Sequence, residues 1–149
     1  MEHVFRATTR LRLPREQVFA FFAAAENLER ITPPELRFSI RTPGPIDLHA
    51  GTLIDYELRL FGVPFGWRTK ITEWDPPHAF TDEQLKGPYR QWIHRHTFRE
   101  EGGETVMDDV VRYRLPLAPV GDLAAPLVGL QVRRIFAYRE KAIRQLLLN

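Results

Sequence analysis

The sequence predicts an α+β domain in which a curved antiparallel sheet wraps around a long C-terminal helix. Three observations carry this. Six segments between residues 36 and 115 alternate with a period of two and are separated by turn formers. One further alternating strand and a short helical stretch precede them. After Gly121-Asp122 the apolar period lengthens to that of an amphipathic helix. Strands followed by a segregated helix define the class. The 149 residues fit one domain, 1–149, large enough to bury a core without a disulfide or a structural metal.

The first strand spans residues 3–13, with Phe5, Ala7, Thr9 and Leu11 on one side and Arg6, Thr8, Arg10 and Arg12 on the other. Pro14 suits the first turn of a helix, where a missing N–H costs nothing. Val18, Phe21, Phe22 and Ala25 form the stripe of that helix, Leu28 and Ile31 mark a second short one, and Pro33-Pro34 ends it. Strands are expected at Leu36–Arg41, Thr52–Leu60, Phe65–Trp74, Ala79–Leu85, Tyr89–Arg99 and Glu104–Leu115. The final helix carries Val128, Val132, Ile135, Phe136, Ile143, Leu146 and Leu147 on one stripe, with Pro126 in its first turn. Arg133, Arg134, Arg139, Lys141 and Arg144 are assigned to its solvated face, a local excess of +4 against Glu140.

Charge pairing suggests a register for two hairpins. A loop over Glu100–Gly103 places Arg95 opposite Asp108 outside, and Phe98–Thr105, His96–Met107, His94–Asp109 and Trp92–Val111 inside. A loop over Phe61–Pro64 places Asp55–Lys70 and Glu57–Arg68 outside, and Ile54–Ile71, Tyr56–Thr69 and Leu58–Trp67 inside. The phase of Ala79–Leu85 stays open. A single helix cannot fill the hollow of a seven-stranded curved sheet. What it leaves uncovered becomes an apolar cavity with few polar groups, the usual form of a small-molecule site.

Composition excludes several chemistries. Cysteine is absent and serine occurs once, at Ser39, which removes thiolate catalysis and leaves almost no material for serine hydrolysis. The formal charge of +2 and the absence of a basic groove with stacking aromatics argue against a nucleic-acid partner. The longest apolar run, Val18–Ala25, is far too short to span a bilayer, so no stable membrane insertion is expected. The N-terminus lacks a signal pattern, and a cytoplasmic location is expected. No phosphate-binding glycine motif is present. Oligomeric state is not legible.

The order of elements and a series of motifs resemble the START/Bet v 1-like (SRPBCC) superfamily and its helix-grip fold. The motifs are Asn27-Leu28-Glu29-Arg30-Ile31-Thr32-Pro33-Pro34, Gly51-Thr52 with Tyr56, Trp67-Arg68-Thr69, Trp74, Asp82-Glu83-Gln84, and Gly87-Pro88-Tyr89 with Trp92, His94 and His96. Gly103, Thr105, Asp109, Tyr113 and Pro116 complete them, so the resemblance covers essentially the whole chain. It is nearest to bacterial proteins described as polyketide cyclase/dehydrase or ligand-binding SRPBCC proteins. The resemblance implies a seven-stranded sheet around the last helix, two short helices after the first strand, and a hydrophobic ligand of aromatic, polyketide-like or lipid-like character, as in lipid transport. A superfamily of carriers, receptors and cyclases does not itself choose between binding and turnover.

The candidate ligand-binding residues are Tyr56, Trp67, Trp92, His94, His96, Phe98, Met107, Asp109, Val111, Tyr113, Ile135 and Phe136. If the protein is an enzyme, Asp109 would orient His94 as general acid or base, with Tyr56 or Tyr113 stabilising enolate charge. The plainer reading is a structural His–Asp pair satisfying two buried polar groups. His94, His96 and Asp109 also have the composition of a two-histidine, one-carboxylate metal set, but their apolar neighbours Trp92, Phe98 and Met107 argue against one. No metal and no cofactor is assigned. His3, His49 and His78 are expected at solvated positions.

Overall fold

The computed structural model describes residues 1–148. Strands β1 (His3–Leu11), β2 (Ser39–Ile40), β3 (Leu53–Leu60), β4 (Val63–Asp75), β5 (Ala79–Lys86), β6 (Gln91–Glu101) and β7 (Glu104–Arg114) form one antiparallel sheet in the order β1-β7-β6-β5-β4-β3-β2. Helix α1 (Arg15–Ala23) follows β1, with 3₁₀ turns at Ala25–Ile31 and Pro34–Leu36. A third 3₁₀ turn, Val120–Ala124, leads into α2 (Ala125–Leu148), which packs across one face of the curved sheet. Register shifts at Arg68/Thr69 and Ile71/Glu73 interrupt the β4–β5 ladder, and such bulges raise local bend and twist.

Two expected registers are corrected. The β3–β4 turn is the two-residue Phe61-Gly62, and the β6–β7 turn is Gly102-Gly103, all four residues at positive φ. Such turns match the twist of the flanking strands better than four-residue loops. Each hairpin therefore shifts by two positions. Tyr56 faces Trp67, Leu58 faces Phe65 and Ile54 faces Thr69; His96 faces Asp109, His94 faces Val111, Trp92 faces Tyr113 and Phe98 faces Met107. A shift of two preserves the alternation, so every side chain keeps its assigned face. On the outer face Arg68 pairs with Asp55 rather than Glu57, and Arg95 pairs with Glu73 rather than Asp108.

The expected strand Leu36–Arg41 is reduced to Ser39–Ile40. Pro34 opens a 3₁₀ turn and Arg37 adopts the left-handed conformation with its N–H donating to the Pro34 carbonyl, which delays the extended backbone. The strand expected from Tyr89 begins at Gln91 and runs to Glu101.

The interior has two ends. At one, Val18, Phe19 and Phe22 of α1 pack with Phe98 and Met107 of the sheet and Ile143 of α2. At the other, Val132 and Phe136 of α2 meet Trp67, Tyr89, Val111 and Tyr113. Arg139, assigned to the solvated face of the last helix, is only 8% exposed. It follows Val132 by seven residues and Phe136 by three and precedes Ile143 by four, which places it on the inward stripe. Leu123, Leu127 and Leu130, by contrast, are exposed. Among the described residues no helix is long and apolar enough to cross a membrane.

Candidate functional site

Between the inner face of the sheet and α2 lies a hollow with a cavity volume of about 160 Å³. Its walls are largely apolar. Tyr56, Trp67, Tyr89 and Trp92 form an aromatic cluster in which Tyr56 and Trp67 stack at 5.8 Å and Trp67 meets Trp92 edge-on at 5.5 Å. Polar tips are tied back inside this wall. The Trp67 indole donates to Thr69 Oγ1 at 3.1 Å, and the Tyr56 hydroxyl lies 3.4 Å from the same oxygen. Burial, with the Asp82 charge second, raises the Tyr56 phenol, so it remains a neutral hydroxyl.

The polar part of the wall is compact. Strand pairing sets Asp82 opposite His94 and His96 opposite Asp109, on alternate residues of one face. His94 Nε2 lies 2.7 Å from Asp109 Oδ1, and His96 Nε2 lies 2.7 Å from Asp82 Oδ2. His96 Nδ1 is 3.3 Å from Asp109 Oδ1, so one carboxylate serves both imidazoles. The rings stack at 3.6 Å, and Phe80 covers the other face of His96 at 4.0 Å. Arg139 reaches in from α2, its guanidinium over the rings of Phe22 and Phe136 and 3.8 Å from Asp109.

Charge balance assigns the protons. Asp82, Asp109 and Arg139 together leave one negative charge, which one imidazolium neutralises. Burial disfavours charge on His96, but hydrogen bonds to Asp109 and Asp82 outweigh it and raise that imidazole. Burial and the neighbouring His96 lower His94 to about 4 against a partial opposing pull from Asp109. Burial works to raise both carboxyls, yet His96 at Asp82, and His94, His96 and Arg139 at Asp109, hold them below the usual range. The surroundings thus favour the charged form at His96, the neutral form at His94 and the ionised form of both carboxyls. His94 donates from Nε2 to Asp109, which leaves Nδ1 with its lone pair.

Of the candidate residues, Tyr56, Trp67, Trp92, His94, His96, Ile135 and Phe136 line the hollow. Phe98, Met107, Val111 and Tyr113 are buried in the packing around it and do not line it; Asp109 touches the imidazoles from outside the lining. Asp82, Thr69, Tyr89 and Arg139 belong to the wall but were not among the candidates. Of the other histidines, His49 and His78 are exposed; His3, expected in solvent, is half-buried, 3.4 Å from Asp122 and 5.3 Å from the Tyr113 ring.

Asp82, His94 and His96 each present a ligand atom within 4.8 Å of the others, so the carboxylate that completes the two-histidine set is Asp82 rather than Asp109. The ring planes, however, lie at only 26° to each other. Their in-plane lone pairs run side by side instead of converging about 2 Å from each nitrogen, where a cation would sit. The nearby guanidinium opposes a further positive charge. As arranged, these donors suit a hydrogen-bonded network.

A family model described as polyketide cyclase/dehydrase and lipid transport matches residues 11–139. No curated protein matches the sequence. Solved structures of the same shape include the Zhui aromatase/cyclase from a Streptomyces species, at 15% identity and TM-score 0.76, covering 96% of this chain and 92% of that one. A START superfamily protein from Mycobacterium smegmatis matches at 13% identity and TM-score 0.69, over 97% and 99% of the two chains. The major latex-like protein 151 of Panax ginseng matches at 11% and 0.69, over 99% of both. Likenesses at these identities speak for the helix-grip fold alone.

Proposed function

From the premise that the chain belongs to the polyketide cyclase/dehydrase and lipid transport family, we propose that it encloses a small hydrophobic molecule, aromatic, polyketide-like or lipid-like, between the sheet and α2. The observation that carries this is the hollow itself, walled by Tyr56, Trp67, Tyr89 and Trp92 and roofed by Ile135 and Phe136. Flat aromatic walls favour a flat or extended apolar guest, and a few grouped polar atoms orient it. A second reading is favoured by one detail. His94, tethered by Asp109 at 2.7 Å, keeps a bare Nδ1 on the wall, which is the form of a positioned general base. In that reading the protein is a cyclase or dehydrase and His94 moves a proton on the guest.

A titration with the neutral fluorophore N-phenyl-naphthylamine tests the first reading. Binding with one site per chain is expected, and Ile135→Trp, which fills the roof, should abolish it while leaving the fold intact by circular dichroism. Binding untouched by that substitution would remove the hollow as the site. The enzyme reading separates at His94→Ala. A carrier keeps its affinity with modest loss, whereas an enzyme loses about 10²–10⁴ in rate and keeps binding.

A further inference from the structure

We propose that the guest carries a carboxylate and that this group docks on the guanidinium of Arg139. The inference rests on the reading of the hollow as a ligand site and adds the chemical class of the ligand. Its basis is a buried cation that is only weakly paired within the protein, with Nε lacking any partner among the described residues. Arg139 is 8% exposed and lines the hollow. Arginine is rarely buried so deeply without a paired anion. Here the guanidinium rests on the rings of Phe22 and Phe136, at 5.3 and 5.5 Å, contacts that use its flat faces and leave the N–H edge free.

That edge finds little within the protein. Nε is buried with no hydrogen-bond partner among the described residues. Asp109 Oδ1, at 3.8 Å, is beyond hydrogen-bond reach. His96 Nδ1 is at the limit, 3.5 Å, and in the His96 cation that nitrogen holds a proton and cannot accept. Asp109 is in any case committed to His94 and His96. A guanidinium at the wall of an apolar hollow, held only by long contacts from Nη2, has room for an acceptor brought by the guest. A planar carboxylate meets two N–H groups at once, which a lone hydroxyl or ketone cannot.

Charge narrows the choice further. Asp82, Asp109, His96 and Arg139 already sum to zero, with His94 neutral beside them. One added negative charge can be met by one proton on His94, flanked by Asp82 and Asp109. A dianionic phosphate would leave a buried charge unmatched. Apart from the free Nδ1 of His94 the remaining wall is largely apolar, so the rest of the guest is mainly hydrocarbon or aryl. The structure thus assigns an aryl or alkyl monocarboxylate.

Calorimetric titration of the whole protein with 2-naphthoate and its neutral isostere 2-naphthamide tests this near neutral pH. The wild type should bind the carboxylate at least about tenfold tighter than the amide, roughly the value of one charge-assisted hydrogen bond over a neutral one. Arg139→Met should erase that preference and leave amide binding within about threefold, while Arg139→Lys retains part of it. Equal affinity of the two probes for the wild type, a comparison that needs no variant to fold, would overturn the role of Arg139 and leave the hollow as a ligand site. Failure of both probes to bind would overturn the hollow as a ligand site itself.

Discussion

Both faces of the sheet set carboxylates against basic side chains, and the contacts do different work. On the outer face Arg68 meets Asp55 at 2.8 Å and Arg95 meets Glu73 at 3.0 Å, with roughly two-fifths to half of each cation exposed. On the inner face His94 meets Asp109 and His96 meets Asp82, each at 2.7 Å, with the imidazoles and Asp109 at most 5% exposed. The contact distances are alike. What differs is the solvent behind them. Outside, water and salt screen the pairs and stand in for either partner when it is lost. Inside, the few groups of the cluster compensate one another and water does not replace a lost one. Charge geometry alone therefore does not identify a site; charge geometry that water cannot replace does.

The largest expected effect is at the buried acceptor. Asp109→Asn removes the charge shared by His94 and His96 while keeping the volume, and should cost about 3–5 kcal/mol in denaturant unfolding. A loss no larger than that of an outer-face substitution would erase the distinction between the faces.

The pH dependence of stability comes next, and its two limbs belong to different histidines. His94 is held near 4 in the folded protein against 6.5 in the unfolded chain. The unfolded state then binds more protons between those values. The stabilisation is complete above about 6.5 and is lost as pH falls toward 4, on the order of 3 kcal/mol. His96 is shifted upward, so its contribution is complete below about 6.5 and is lost as pH rises through its folded value. Unfolding curves across pH should therefore peak near neutrality. His94→Gln should flatten the acid limb and leave the alkaline one, and the reverse outcome would contradict the proton assignment.

The smallest effect is expected outside. Asp55→Asn should change stability little, and the change should shrink further in about 0.5 M salt, where the screening length falls to a few ångströms. A salt-insensitive loss there would mean that the outer pairs carry more than register.

How much of this was legible follows the same division. Alternation, turn formers and the lengthened period after Gly121 gave the sheet, its faces and the final helix, because each is a local signal. The pairing register was not, because it depends on turn length. Phe61-Gly62 and Gly102-Gly103 close in two residues where four were expected, and each hairpin moved by two. Asp82 was visible in a motif, but the phase of β5 became known only when β5 paired with β6 and set it opposite His94. Arg139 had a signal in plain view, its place on the stripe of Val132, Phe136 and Ile143. Its charge argued for solvent, and only the opposing Phe22 and the carboxylates, brought from distant parts of the chain, make an inward position tenable.

The central claim is that the inner face holds the guest and the outer face does not. A heteronuclear NMR titration with a neutral aromatic probe such as 2-naphthamide tests it directly, because the three tryptophans report from different places. The indole signals of Trp67 and Trp92, on the wall of the hollow, should shift with saturation at one probe per chain, while that of Trp74, packed among Phe19 and Phe80, should stay in place. Shifts confined to the outer residues around Asp55 and Arg68, or to the exposed Leu123, Leu127 and Leu130, would contradict the account.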